Sequence, residues 1–180
     1  QLKDIQKSFG PQVIFDRANV TLNSEQKAGF IGRNGAGKST LCKIIIGQEP
    51  ADRGEIIKSS DLRLSYLEQH NPFTHAETVL EFLMRYTGRE AWRCGKVAAR
   101  FQLKPQWLEA AVASLSGGYQ TRVKLTAMLL NEPNFLILDE PSNYLDLKTL
   151  ILLEEFLEDF DGGFVIVSHD REFLQKTCDH

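Results

Sequence analysis

Several features that would take the 180-residue sequence out of ordinary globular proteins are missing from it. No uninterrupted apolar run exceeds four residues, which excludes a membrane-spanning helix. The first ten residues, QLKDIQKSFG, lack the apolar stretch of a secretory signal. They also lack an initiator Met, which points to a piece of a longer chain. Cys42, Cys94 and Cys178 are the only cysteines, and no two form a CxxC pair. They fit a reducing cytoplasm better than a disulfide framework or a zinc site. Internal repeats and low-complexity tracts are absent, and a net charge of −3 gives no global basic field for nucleic acid. What remains, with 42% hydrophobic and 25% charged residues, is the balance of one folded domain rather than a disordered tail. The expectation is a cytoplasmic α/β domain with no direct membrane insertion.

The hydrophobic pattern alternates between strand and helix. Residues 12–31 read as short strands: Val13-Ile14-Phe15, then 18–22, then 28–31. A glycine-rich turn leads into a helix over 38–46, closed by Gly47 and Pro50. Strand-like segments follow at 55–57 and 62–67, and helical period sets in from 76 to 113. A further helix runs from Gly118 to Leu130. The unbroken apolar run Phe135-Leu136-Ile137-Leu138 suits a strand buried on both faces. Leu150, Leu153, Leu157 and Phe160 mark another helix, 163–167 a second buried strand, and a short helix closes the chain. Strands and helices alternating at both ends predict an α/β core over 1–72 and 116–180, with a helical subdomain at 73–115.

Three motifs carry chemistry. Gly32-Arg33-Asn34-Gly35-Ala36-Gly37-Lys38-Ser39-Thr40 is a GxxxxGK(S/T) phosphate loop between a strand and a helix. Its glycines let successive N–H groups curl into an anion nest at a helix N-terminus, and a chance match in a chain this long is on the order of 1%. Lys38 can reach the β- and γ-phosphates, and the Ser39 hydroxyl can ligand Mg²⁺. The strand over 135–138 ends in Asp139 and Glu140, acids suited respectively to a magnesium shell and to orienting or deprotonating a water. Leu115-Ser116-Gly117-Gly118-Tyr119 opens a helix and offers a second anion site, or simply an N-cap with permissive glycines.

Taken in order, the phosphate loop, Gln69 in Leu67-Glu68-Gln69, Leu115 to Gly118, Asp139-Glu140, Asp146, and His169 in Ser168-His169-Asp170 resemble the motif series of the ATP-binding cassette (ABC) ATPases. Phe9 matches the aromatic that stacks on adenine in that family, a core phenylalanine being the other reading. The resemblance implies a P-loop NTPase core with a parallel sheet flanked by helices, an N-terminal antiparallel β portion and an inserted helical subdomain. It implies ATP and Mg²⁺ as ligands, hydrolysis to ADP and phosphate, and two cassettes paired head to tail around two ATP molecules. Gly32, Asn34, Gly35, Ala36, Gly37, Lys38, Ser39, Thr40, Gln69, Asp139 and His169 of one cassette would then face nucleotide, with Ser116, Gly117 and Gly118 of the other. The metal would fall to Ser39, Gln69 and Asp139, and catalysis to Lys38, Gln69, Glu140 and His169. Asp146 would couple the two sites.

Within the family, the stretch from Asp139 to Leu147 is similar to the DEPTNHLDL of the soluble ABC-F group, and residues 168–174 to its SHDRxFL. The chain is thus most like the first cassette of an ABC-F protein, which implies a ribosomal partner (rRNA or tRNA) in translation or antibiotic resistance. The motor subunit of a membrane transporter is the alternative. There is no second phosphate loop, no room for a long helical arm in 73–115, and the chain stops at His180. Arg85, Arg89, Arg93, Lys96, Arg100 and Lys104 stand against the single acid Glu90, a net +5 that leaves −8 for the rest. Their near-regular spacing would align them on one helix face, either a phosphate-contacting stripe or a solvated surface.

Overall fold

The computed structural model describes every residue except Asn34, Glu68, Gln69, His70, His75, Tyr144 and His180. It divides into two compact units, one of residues 1–66, 134–141 and 161–180, the other of 67–133 and 142–160.

In the first unit, β1 (Leu2–Phe9) pairs antiparallel with β2 (Gln12–Val20) and with β4 (Arg53–Ile56), giving a three-stranded sheet in the order β2-β1-β4. The expected short strands before residue 22 are one nine-residue strand, and Leu2–Phe9, not read as a strand, forms the middle of the sheet. A second sheet has the order β3-β7-β6-β5, from β3 (Lys27–Phe30), β5 (Leu64–Leu67), β6 (Phe135–Asp139) and β7 (Gly163–Val167). β7 runs parallel to both β3 and β6. Every residue of β6 and β7 is buried, as continuous apolar runs in a parallel sheet require. Helix α1 (Lys38–Ile46) packs Cys42, Ile44 and Ile45 into a core with Ile137, Val165 and Val167. Gly47, at φ +86°, ends it by returning its N–H to the Lys43 and Ile44 carbonyls. The loops after β3, β6 and β7 therefore all leave the carboxyl ends of parallel neighbours, the edge where open α/β sheets bind ligands. Helix α7 (Arg171–Thr177) follows the last of them.

The second unit is helical: α2 (Val79–Thr87), α3 (Ala91–Arg100), α4 (Pro105–Leu108), α5 (Gly117–Leu130) and α6 (Leu147–Glu158). Thr78 and Glu81 close a capping box at the start of α2, worth about 1 kcal/mol. Val123, Ala127 and Leu130 recur along α5 at helical spacing and meet Val79, Phe82 and Leu83 of α2 and Ala98 of α3. That shared core joins α5 to α2 and α3, and α6 falls in the same compact unit, whereas the sequence reading places 116–180 with the α/β core. No helix among the described residues is long and apolar enough to cross a membrane.

Candidate functional site

The loop after β3 is built around its glycines and its lysine. Gly37 caps α1 at φ +86°, a left-handed conformation, and a Cβ there would collide with Ile14 and press on the Phe15 ring. Lys38 Nζ arches back over the loop to donate to the carbonyls of Gly32 at 2.7 Å and Arg33 at 3.2 Å. Gly32 lies beneath the lysine stem, Ala36 donates its N–H to Arg33, and Ser39 and Thr40 occupy the first turn of α1. Asn34 and Gln69 lie outside the described residues.

Asp139, at the carboxyl end of β6, is 4% exposed. Its Oδ2 accepts from the Tyr66 hydroxyl at 3.3 Å, while buried Oδ1 has no hydrogen-bond partner among the described residues. A buried carboxylate oxygen left orphaned calls for a cation or water. Asp139 also faces α1: burial, aided by this carboxylate, pushes the Cys42 thiol up to about 12. Ser39 is one turn before Cys42 on the same side of that helix. Carboxylate and hydroxyl are the hard oxygens that Mg²⁺ prefers, so the donor set fits the metal.

Glu140 follows at φ +49° and is also buried, its N–H donating to Val167 O at 2.7 Å. Its Oε2 lies 2.9 Å from His169 Nδ1 and accepts from the His169 backbone N–H at 3.4 Å. The imidazole is 63% exposed while the carboxylate beneath it is nearly covered, and Nε2 has no partner among the described residues. The pair can place a carboxylate and a ring nitrogen on one small ligand. Phe9, 49% exposed at the end of β1, is not a core residue. Lys7 Nζ sits 5.0 Å from its ring centroid, held there by Glu49 at 2.6 Å and the Pro50 carbonyl.

In the helical unit, Ser116 stands at the N-cap of α5 but its side chain makes no cap hydrogen bond. Gly117 and Gly118 open the helix, whose first N–H groups have no intrahelical acceptor. A network the sequence did not disclose anchors this end. Arg122, 5% exposed, donates from Nε and Nη2 to Thr149 Oγ1 at 3.1 and 3.0 Å, and Thr149 Oγ1 donates to Asp146 Oδ2 at 3.2 Å. Asp146 caps α6 through the Thr149 N–H, which with the hydroxyl holds its carboxyl below the usual range. The Asp-x-x-Thr spacing at a helix start is the signal that could have found it. The basic stripe does not survive as one face. Gly88 ends α2 at φ +66°, Arg85 pairs with Glu77, and Arg89 and Arg93 are drawn to Glu132.

A lysine-bearing anion loop and an acid-ended buried strand, both at the carboxyl ends of strands parallel to β7 in one sheet, define a P-loop nucleotide-binding core. A family model described as ABC transporter matches residues 15–143, and the chain belongs to that family, as an ATP-binding cassette ATPase domain. Relatives include the ATP-binding protein Uup of Buchnera aphidicola (35% identical over 95% of this chain and 30% of the relative). ATP-binding cassette sub-family F member 3 of Homo sapiens is 35% identical over 99% of this chain and 26% of its own length. The ribosome protection protein VmlR of Bacillus subtilis is 35% identical over 98% and 32%. The chain thus spans about a third of these curated relatives. Among solved structures, the dimeric MJ0796 ABC transporter cassette superposes with a TM-score of 0.83, at 22% identity over 98% of this chain and 90% of that one.

Proposed function

We propose that this chain binds ATP with Mg²⁺, pairs head to tail with a second cassette in the same chain or as a homodimer, hydrolyses the nucleotide, and serves a protein that acts on the ribosome. The observation that carries the reading is the Glu140–His169 pair beside the orphaned oxygen of Asp139, on the sheet edge that also bears the phosphate loop. Lys38 exchanges its two loop carbonyls for phosphate oxygens, a stronger charge-assisted contact, and the loop N–H groups hold the rest of the polyphosphate. Phe9 offers its exposed ring to the adenine. Ser39 and Asp139, with Gln69, would hold the metal, which neutralises charge on the phosphates. Glu140 orients the attacking water and takes its proton, and His169 keeps that carboxylate aimed. Ser116, Gly117 and Gly118 of the second cassette supply N–H groups to the same phosphates, giving the second anion site a use.

The ribosomal half rests on likeness to sub-family F member 3 and to a protein named for ribosome protection. It is tested with the full-length protein carrying Glu140→Gln, sedimented from a cell lysate with ATP. Co-sedimentation with ribosomes is expected. Recovery with membranes instead would overturn the ribosomal reading in favour of a transporter's motor subunit.

A further inference from the structure

We propose that α3 is a contact face for single-stranded RNA, with the Trp92 indole stacking on an unpaired base and Lys96, Arg100 and Lys104 taking the neighbouring phosphates. The buried stripe of α3 is Cys94 and Ala98, continued by Phe101, so residues 92, 96 and 100 face outward at intervals of one turn. Trp92 is 66% exposed, whereas Trp107, the other tryptophan, packs against Tyr119. The Trp92 indole N–H donates to the Glu90 carboxylate, which holds the ring at the start of the helix with its face open. Lys96, Arg100 and Lys104 are exposed and have no ion-pair partner among the described residues, unlike Arg93.

Residues 91–104 carry four cations and no acid, a net +4 that leaves −7 for the remainder of the chain. This segment therefore stands out as a cationic stretch in a chain whose remainder is net acidic, which favours a polyanion there. The combination of cations with one aromatic face is what a strand with unstacked bases requires. On this helix the other exposed apolar side chains are only the small Ala91 and Ala99, so within α3 the indole is flanked by cations rather than by large apolar groups.

The face deepens the ribosomal reading by naming where RNA would be touched. The full-length protein is titrated into a fluorescein-labelled oligouridylate 12-mer. Trp92→Ala weakens binding at least about fivefold, and Trp92→Phe, which keeps a stacking ring, retains most of it. Lys96→Glu, Arg100→Glu and Lys104→Glu together reduce the slope of log affinity against log salt by about 2, at roughly 0.7 for each phosphate no longer neutralised. Affinity and slope unchanged in these variants would overturn the assignment, as would tighter binding to phosphatidylserine vesicles than to the oligonucleotide. If oligouridylate binding follows α3 while the Glu140→Gln protein leaves ribosomes behind, the ribosomal reading fails and the RNA face stands. If ribosomes are bound and the α3 variants change nothing, the reverse holds.

Discussion

Glu140 holds a backbone conformation that glutamate does not choose for itself. A non-glycine residue at φ +49° costs about 1–3 kcal/mol, and here it is also buried. Two contacts hold it there, the N–H bond to Val167 and the side-chain bond to His169. From this conformation the carboxylate meets the imidazole at 2.9 Å, one residue after Asp139. Glu140→Gln keeps the backbone, the volume and a hydrogen-bonding oxygen while removing the carboxylate proposed as the base. ATP affinity should stay near wild type, and phosphate release should fall by about 10²–10⁴-fold. Equal turnover in mutant and wild type would remove Glu140 from the chemistry.

At the scale of elements, close approach between α5 and α6 makes Gly118 irreplaceable. A Cβ on Gly118 would overlap Asp146 Oδ2 and come within 3.0 Å of Thr149 Oγ1. That carboxylate cannot swing away without breaking its bonds to Thr149. Gly118→Ala should therefore lower stability by about 1–3 kcal/mol despite alanine's better helix propensity, read as a lower Tm. The Glu77–Arg85 pair gives a pH-dependent counterpart at α2. Hydrogen bonding to Arg85 lowers the Glu77 carboxyl from 4.5 to about 2, so the unfolded chain binds that proton first. The pair's contribution is complete above about 4.5 and is lost as pH falls to about 2. Arg85→Ala should shift the urea midpoint at neutral pH, and the shift should vanish near the lower limit. These elements were unequally legible. α1, bracketed by Gly37 and Gly47, and the apolar runs of β6 and β7 follow directly from local chemistry. β1 did not, because Asp4 at φ +49° and register shifts bury Leu2, Ile5 and Lys7, a spacing of three and then two that hides the strand period. The basic stripe misled for the opposite reason, since its near-fourfold spacing runs on through Gly88 where the helix stops. The phosphate loop, Asp139, Glu140 and His169 were legible as residues. The Asp146–Thr149 half of the network has a local signal in its Asp-x-x-Thr spacing, whereas Arg122 joins it from 27 residues away, where no local pattern links them.

For the whole molecule, the chain carries two candidate anion-binding starts, the loop before α1 and the first turn of α5, in different compact units. A head-to-tail pair would use both, each nucleotide meeting the loop of one copy and the α5 start of the other. Such composite sites have a consequence that sites complete within one chain do not. Lys38→Ala spoils the loop and leaves the α5 start intact; Gly117→Asp sets a like charge against phosphate at the α5 start and spares the loop. Alone, either variant forms pairs in which both sites carry a damaged half. Mixed in equal amounts, half of the pairs are mixed, and each mixed pair has one site built wholly from undamaged halves. Phosphate release in the mixture should then rise to about a quarter of the wild-type rate if the sites act independently. If instead each chain completed its own site, the mixture would only average two inactive variants. Rescue on mixing is thus expected of the head-to-tail arrangement, and its absence, with both variants folded and pairing in ATP, would count against it.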